Sequence, residues 1–162
     1  IKLIPESIGN LSKLKVLTLR DNVIEHLPSS IGNLKNLELL DLRDNLLSDL
    51  PESICSLTKL TYLDLKTNEL AYLPRCFEKM KTLTDLNLSM NPNLKSDYYM
   101  TAIQQLSNLK YLDLSYNNLT KEQLMPFLNA MPNCKVINKN TRQAEKEKPN
   151  QGEFKFEKPA GK

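Results

Sequence analysis

The chain has 162 residues, of which 40% are hydrophobic and 25% charged, and its formal net charge is +3. This size and composition fit one folded domain, and no apolar run reaches the roughly 18 residues that a membrane-spanning helix needs. The charge lies in residues 139–162, because residues 1–138 carry 15 basic and 15 acidic side chains. A neutral body disfavours binding of nucleic acid and of an anionic membrane surface, and the absence of a long apolar run argues against insertion into a membrane.

A nine-residue pattern, LxxLxLxxN, occurs five times and organises most of the chain. Its first leucines are Leu14, Leu37, Leu60, Leu83 and Leu109. Its asparagines, spaced by 23 residues except for the last, which follows after 26, are Asn22, Asn45, Asn68, Asn91 and Asn117. Prolines with the same 23-residue spacing precede these patterns at Pro5, Pro28, Pro51 and Pro74. A period of this size indicates a solenoid of stacked repeats.

The alternation within each LxL segment predicts a strand whose leucines point inward and whose other residues point outward. Burying each aliphatic side chain contributes roughly 1.5–3 kcal/mol, but one repeat cannot cover its own leucines. Neighbouring repeats must therefore stack. We expect the asparagine that ends each strand to bond backbone groups of adjacent repeats. The short segment after each proline has room for a turn or a 3₁₀ helix.

These motifs resemble the leucine-rich repeat family, and in particular its 23-residue class, LPxxIxxLxxLxxLxLxxNxL. That class occurs in plant intracellular Ras-group proteins, animal Ras-pathway scaffolds and many bacterial proteins. The resemblance covers about residues 1–138. It implies an α/β solenoid, a horseshoe arc with a parallel concave β-sheet and short 3₁₀, turn or helical segments on the convex side. It specifies an architecture and no particular function.

The spacing changes after Asn91, where the proline column ends and a genuine helix is predicted over residues 96–106. The apolar side chains on one face of this helix are Tyr99, Ile103 and Leu106.

A capping box that runs from Thr120 to Gln123 predicts a second helix. Its expected buried side chains are Leu124, Leu128 and Met131. Residues 131–137 predict a partial sixth strand that closes the array, with Cys134 and Ile137 in the leucine columns.

The repeat domain is expected to span residues 1–138, followed by a polar tail over residues 139–162. The tail composition favours disorder, although Phe154 and Phe156 leave a docking strand open. At the other end, Ile1 lies inside a repeat, and no signal peptide precedes it. We expect the native N-terminus to be missing and further repeats to lie upstream, so that a lost export signal stays open.

The three cysteines, Cys55, Cys76 and Cys134, are an odd number and contain no CxxC pair. Such a set disfavours a disulfide framework and a zinc site. We therefore predict reduced cysteines, which incline the localisation, otherwise unknown, towards the cytoplasm. No cofactor and no metal are expected.

No catalytic set, phosphate loop or calcium loop is recognisable. The single histidine, His26, is expected on an exposed loop. Cys134 is expected to serve as a small core residue. The sequence therefore predicts no enzymatic activity within these residues.

Outward strand positions of successive repeats align into columns across the concave face. From these columns we predict partner-binding residues: Arg20, Leu39, Asp41, Arg43, Tyr62, Asp64, Lys66, Asp85, Asn87, Met90, Tyr111, Asp113 and Tyr116. Two interpretations of the charges stay open. Asp41 with Arg43, and Asp64 with Lys66, can neutralise each other on a solvated face. They can also face a partner of complementary charge.

Two functions fit the sequence. The first is a scaffold or adaptor module, expected to be monomeric, that recognises a partner protein on the concave face. The alternative is a sensor or regulatory arm of a larger signalling protein or enzyme whose N-terminal part is missing. A catalytic motif in the upstream sequence would favour the second, and further repeats would favour the first.

Overall fold

The structure is a computed structural model that describes residues 1–139, without the side chains of residues 96–98 and 126–127. Each repeat contributes one short strand, and the strands form a single parallel sheet in chain order. They are β1 (Val16–Thr18), β2 (Leu39–Asp41), β3 (Tyr62–Asp64), β4 (Asp85–Asn87), β5 (Tyr111–Asp113) and β6 (Lys135–Ile137). The predicted solenoid with a concave parallel sheet is confirmed.

The convex side carries four short 3₁₀ segments where the sequence predicted turns or 3₁₀ helices. They are Glu6–Asn10, Ser29–Asn33, Glu52–Ser56 and Phe77–Lys79. The first three follow Pro5, Pro28 and Pro51, whose φ angles lie between −73° and −64°. Proline holds φ in this range, and each proline therefore fixes the bend that carries the chain to the convex side.

Two helices replace the 3₁₀ segments after β4. The first, α1 (Ser96–Gln104), buries Tyr99 and Ile103, and Leu106 is buried just beyond its end. The burial of these three side chains is as predicted, but the helix ends two residues before the predicted end at residue 106.

The second helix, α2 (Lys121–Ala130), begins at the predicted capping box. The Gln123 N–H donates to Thr120 Oγ1 at 3.3 Å, and the Thr120 N–H donates to Gln123 Oε1 at 2.9 Å. Leu124 and Met131 are buried as predicted, but Leu128 is 39% exposed, so its prediction was wrong. The reason is that α2 packs beside α1 at the end of the described array, where only part of its surface is covered.

Strand β6 has a different register from the predicted one. Val136 pairs with Leu112, and Ile137 pairs with Asp113. Val136 therefore occupies the leucine column, and the assignment of Cys134 and Ile137 to it was wrong by one residue. Because side chains alternate along a strand, a shift of one residue moves each of them to the other face. Cys134 is nevertheless half-buried and packs against the core.

The asparagines of the motif form a ladder, here called the asparagine ladder, that connects each repeat to its neighbours. The Asn68 amide donates to Leu42 O at 3.1 Å and to Leu65 O at 3.0 Å, and its Oδ1 accepts the Leu47 N–H at 3.0 Å. Asn45 and Asn91 make the corresponding bonds one repeat earlier and later. The amides thereby satisfy backbone groups that stacking has removed from water.

The first complete repeat is less well covered than the inner ones. Leu14, Leu17 and Leu19 are only partly buried, whereas Leu40 and Leu63 of the inner strands are fully buried. The difference follows from stacking, because β1 has a neighbouring strand on one side only among the described residues.

Cys55 and Cys76 form a disulfide, with their Cα atoms 6.0 Å apart. The prediction of reduced cysteines was therefore wrong, and the argument for a cytoplasmic localisation loses its basis. The sequence argument considered an odd count and the missing CxxC pair, but in a stacked array residues about one repeat apart meet. The separation of these two is 21 residues.

The preceding repeats show why this pair of positions comes together. A Cβ atom added to Gly32 would lie 2.8 Å from Ser53 Cβ, and one added to Gly9 would lie 2.7 Å from Ser30 Cβ. Both contacts join residues 21 apart on adjacent 3₁₀ segments; the disulfide joins the next such pair, with Cys76 immediately before the fourth 3₁₀ segment. Cysteines at the next such pair are therefore held within bonding distance by the stacking itself.

The Tyr99 hydroxyl is buried without a hydrogen-bond partner among the described residues, and burial raises its pKa. An unpaired buried hydroxyl costs about 1–3 kcal/mol. We therefore expect Tyr99→Phe to increase the free energy of unfolding by about 1 kcal/mol in equilibrium denaturation. Tyr62→Phe is the matched control and should decrease it, because the Tyr62 hydroxyl donates to Asp64 at 3.1 Å. An equal loss in both variants would contradict this account.

Candidate functional site on the concave face

The register of the sheet aligns the outward residues into four columns. The first is Val16, Leu39, Tyr62, Asp85, Tyr111 and Lys135. The second is Thr18, Asp41, Asp64, Asn87, Asp113 and Ile137. The third starts with Arg20, Arg43 and Lys66 and continues with Ser89 and Ser115. The fourth is Asp21, Asp44, Thr67, Met90 and Tyr116.

Acidic and amide side chains of the second column have a structural task. From Asp41 onwards, the side-chain oxygen at this position accepts the N–H two residues later, at distances between 2.9 and 3.3 Å. The acceptors are Asp41, Asp64, Asn87 and Asp113. Asp and Asn form such bonds where a chain turns out of a strand. This column therefore shapes the end of each strand and offers fewer free groups to a partner.

A cluster of charged side chains lies at the centre of β2 and β3. Arg43 donates to Asp41 through Nη2 at 2.8 Å and through Nε at 3.1 Å, and its Nε lies 3.9 Å from Asp64. Asp64 also accepts the Lys66 N–H at 3.0 Å and the Tyr62 hydroxyl at 3.1 Å. The predicted pair of Asp41 with Arg43 is thus present.

The predicted charge pair of Asp64 with Lys66 is wrong, because Lys66 reaches Asp64 through its backbone N–H and Arg43 is the cation beside the carboxylate. Burial raises the pKa of Asp64, while the Lys66 N–H and the Arg43 charge act in the opposite direction. The pKa of Arg43 is raised by its hydrogen bond to Asp41. Burial and the Asp64 charge raise the pKa of Tyr62. The hydrogen bonds of the cluster hold these side chains in place in the surface of the sheet.

The predicted partner-binding residues differ widely in exposure. Four of them are buried, namely Leu39, Asp41, Asp64 and Asn87. Six are half-buried: Arg43, Tyr62, Lys66, Asp85, Asp113 and Tyr116. Three are exposed: Arg20, Met90 and Tyr111. Leu39 was expected to be exposed and is covered to all but 7%; the other three buried residues all belong to the second column, whose middle part therefore offers a partner little surface.

Sequence reasoning missed two exposed members of the first column, Val16 and Lys135. Val16 is 45% exposed; it belongs to an outward column but was not included among the predicted partner-binding residues. Lys135 was missed because the register predicted for β6 was off by one residue. Its Nζ lies 5.9 Å from the centroid of the Tyr111 ring.

The fourth column presents its side chains through an unusual backbone conformation. All five members have positive φ angles, between 53° and 62°. This left-handed region is unfavourable for residues other than glycine, and particularly for a β-branched residue such as Thr67. Met90, 41% exposed, receives a hydrogen bond at Sδ from Thr67 Oγ1 at 3.6 Å. The turn after each strand therefore places apolar side chains at one border of the sheet in the C-terminal half.

The histidine and the cysteines do not form a nucleophilic site. His26 is exposed, with its Nδ1 3.7 Å from Asp49. Cys55 and Cys76 are consumed in the disulfide, and burial raises the pKa of Cys134 to about 11. Since the thiolate is the nucleophilic form, the half-buried Cys134 is unreactive at neutral pH.

This assignment can be tested by labelling Cys134 with a thiol reagent at mildly alkaline pH. We expect the folded chain to react about a hundredfold more slowly than the unfolded chain, because burial that raises the pKa to about 11 leaves that much less thiolate. The rate should rise with pH until it passes the raised pKa. A folded chain that reacts as fast as the unfolded chain would show that Cys134 is neither covered nor shifted.

Within residues 1–139, no helix is long and apolar enough to cross a membrane. The same part of the chain contains no group of three or more histidine, cysteine or acidic side chains arranged to hold a metal ion.

Comparison with solved structures gives a consistent picture. A leucine-rich repeat protein of Leptospira interrogans superposes with a TM-score of 0.74 at 30% sequence identity, over 85% of this chain and 34% of that one. An internalin of Listeria monocytogenes, InlF, gives 0.66 at 23% identity, over 87% and 46%. The leucine-rich repeat ectodomain of the Arabidopsis thaliana receptor kinase SOBIR1 gives 0.57 at 26% identity, over 76% and 68%. This chain thus spans about a third of the Leptospira protein.

No curated protein is significantly similar to the chain in amino-acid sequence. The family profile described as a leucine-rich repeat region matches residues 3–159, which is nearly the whole chain. Together with the asparagine ladder and the six-stranded parallel sheet, this match shows that the chain belongs to the leucine-rich repeat family.

Proposed function

We propose that this chain is a scaffold module that binds a partner protein on the concave face of its sheet. Leucine-rich repeat domains are in general protein-interaction scaffolds. The observation that carries the proposal is the alignment of partly exposed apolar and aromatic side chains along both borders of the sheet. They are Val16, Tyr62 and Tyr111 at one border and Met90 and Tyr116 at the other.

The centre of the face supports the same proposal by its rigidity. The hydrogen bonds of the second column and the Asp41–Arg43–Asp64 cluster hold the surface between the two borders in one arrangement. A preorganised surface loses little conformational entropy when it binds. Tyrosine and methionine are enriched among interface residues, and a few such residues carry most of the binding energy. We therefore assign the contact energy to the borders and the shape to the centre.

The test begins with affinity purification of candidate partners from native lysate and identification by mass spectrometry. Each candidate is then titrated against the wild type and against Met90→Ala/Tyr111→Ala. The control is Leu46→Ala/Tyr72→Ala, which removes one aliphatic and one tyrosine side chain of similar exposure outside the four columns. Circular dichroism and thermal unfolding establish that all three chains are folded.

We expect the concave variant to weaken binding at least about tenfold, and the control to stay within about twofold. If both variants bind as the wild type does, the concave face is not the contact surface. If the control alone loses binding, the partner uses the outer surface of the loops that follow the asparagines.

A further inference from the structure

A groove of about 770 Å³ runs along the N-terminal ends of strands β3 to β6, beside the concave face. We call it the flank groove and define it by Thr61, Thr84, Asn108, Lys110, Tyr111 and Lys135. It meets the concave face at Tyr111 and Lys135, which are outward residues of β5 and β6. None of the predicted partner-binding residues except Tyr111 lines it.

The groove exists because of the side chains that precede each strand. In the first two repeats this position is filled by Lys15 and Glu38, whose Nζ and Oε1 atoms lie 2.9 Å apart. In the next two repeats it is occupied by the shorter Thr61 and Thr84. The groove thus lies where the two threonines replace the ion pair, and the side chain of Lys110 borders it in the following repeat.

The floor of the groove is a row of hydrogen-bond acceptors. The Thr61 hydroxyl donates its proton to Glu38 O at 3.1 Å, and the Thr84 hydroxyl donates to Asp85 Oδ2 at 2.6 Å. Asn108 donates its amide to Lys81 O at 2.7 Å. Because these protons are already directed into the protein, the lone pairs of the two hydroxyls and of the Asn108 amide oxygen are available to a ligand that donates N–H groups.

The wall of the groove is cationic. Lys110 and Lys135 are exposed, and neither forms a salt bridge in the part of the chain that the structure describes. Asp85, which pairs with Tyr111 in the sheet, accepts the Thr84 hydroxyl and is not among the residues that line the groove. The 41% exposed Tyr111 ring lies between the groove and the concave face. A ligand therefore meets acceptors below it and two ammonium groups beside it.

We propose that the flank groove binds an acidic peptide segment of the partner protein, a proposal that rests on the proposed function. Backbone N–H groups of an extended segment would face the acceptor floor, and its carboxylates would face Lys110 and Lys135. Inorganic phosphate supplies negative charge but is too small to span the floor, whereas a uronic polysaccharide supplies both carboxylates and hydroxyl donors and is therefore the competing ligand in the test. Three strand spacings separate Thr61 from Lys135, about 14 Å, which about four extended residues span.

The experiment titrates the whole chain with a capped peptide of about six residues that alternates glutamate with glycine, a length sufficient for this span. Amide chemical shifts in the NMR spectrum report both the affinity and the place of binding. The matched peptide carries glutamine in place of glutamate. Lys110→Gln/Lys135→Gln removes the wall charges, and Lys13→Gln/Lys79→Gln removes two exposed charges elsewhere.

We expect the glutamate peptide to shift the amide signals of Thr61, Thr84, Lys110 and Lys135. The glutamine peptide should bind at least about tenfold more weakly. The Lys110→Gln/Lys135→Gln variant should lose about the same factor, and the Lys13→Gln/Lys79→Gln variant should not. Equal binding of both peptides, or unchanged binding by the Lys110→Gln/Lys135→Gln variant, would overturn the proposal. So would inorganic phosphate or polygalacturonate if either produced the same shifts at equal or lower concentration.

The peptide titration requires no knowledge of the natural partner, so it can fail independently of the proposed function. If a partner found by affinity purification depends on Met90 and Tyr111 but binds the Lys110→Gln/Lys135→Gln variant normally, the concave face binds and the groove does not. If the partner also loses affinity in that variant, the groove contributes to the same interaction.

Discussion

Replacing Asn68 by alanine is expected to lower the free energy of unfolding by about 3 kcal/mol. Asn68 is 3% exposed, and its side chain is the only described side-chain acceptor for the buried Leu47 N–H. Loss of that acceptor leaves a buried donor unpaired, which costs about 1–3 kcal/mol, and three amide–carbonyl bonds disappear with it. Chemical denaturation with circular dichroism measures the change.

The carbonyl oxygens offer a sharper test. Leu42 O accepts from both Asn45 and Asn68, at 3.0 and 3.1 Å, so either single variant leaves it one donor. The double variant Asn45→Ala/Asn68→Ala removes both donors. We therefore expect the double variant to lose more stability than the sum of the single ones, since the sites share a partner. Additive losses would contradict the shared-carbonyl account.

Two controls separate the ladder from a general effect of removing asparagine. Asn33→Ala changes an exposed residue of a convex 3₁₀ segment and should cost little. Asn22 is half-buried at the first strand, where its amide donates to Leu19 O and Arg20 O at 2.9 Å. Asn22→Ala should therefore have an intermediate effect. A loss at Asn33 equal to that at Asn68 would show that the ladder is not the source of the stability.

Most of the fold could be predicted because the same residue pattern, and with it the same local structure, recurs several times along the chain. The leucines and asparagines recur at a fixed spacing, so the register of β1 to β5 followed by counting residues. The prediction failed for β6, where residues 131–137 match the pattern only in part. One residue of register decides whether Val136 or Ile137 points inward, and a single irregular repeat does not fix that choice.

The site was less predictable than the fold, because the alternation of residues along a strand predicts which face a side chain points to but not how exposed that side chain is. Leu39 and Asp64 point to the concave side as expected, yet neighbouring side chains cover both of them. Their burial depends on the lengths of the residues beside them in adjacent strands. The flank groove was missed for the same reason, since it arises where Thr61 and Thr84 replace a longer pair. Burial and groove shape depend on contacts between side chains of neighbouring repeats, and the pattern within a single repeat does not predict them.

The pairing of Cys55 with Cys76 shows the same limit in another form. Sequence spacing was judged by rules for compact domains and metal sites, in which an odd number of cysteines argues against a disulfide. In this array the relevant distance is one repeat less two residues, which also separates Gly9 from Ser30 and Gly32 from Ser53. Once the 23-residue period is known, this offset can be found by stacking the convex segments.

Reduction of the disulfide is expected to lower the free energy of unfolding by about 3 kcal/mol, the value for closing a loop of this size in the unfolded chain. The Cys55→Ala/Cys76→Ala variant should lose a similar amount and should no longer respond to reductant. Cys134→Ala retains the disulfide and serves as the control. Thiol titration of the unfolded chain should find one thiol before reduction and three after it.

The location of the loss distinguishes this bond from a general stabiliser. Each repeat of a solenoid contacts only its neighbours, so stability is approximately a sum of repeat and interface terms. The disulfide joins the convex segments of the third and fourth repeats. Hydrogen exchange should therefore accelerate first at amides near Ile54 and Phe77 when the bond is reduced. Uniform acceleration of hydrogen exchange, or three reactive thiols before reduction, would contradict this assignment. A disulfide that is present before reduction would be typical of a chain that folds in an oxidising compartment.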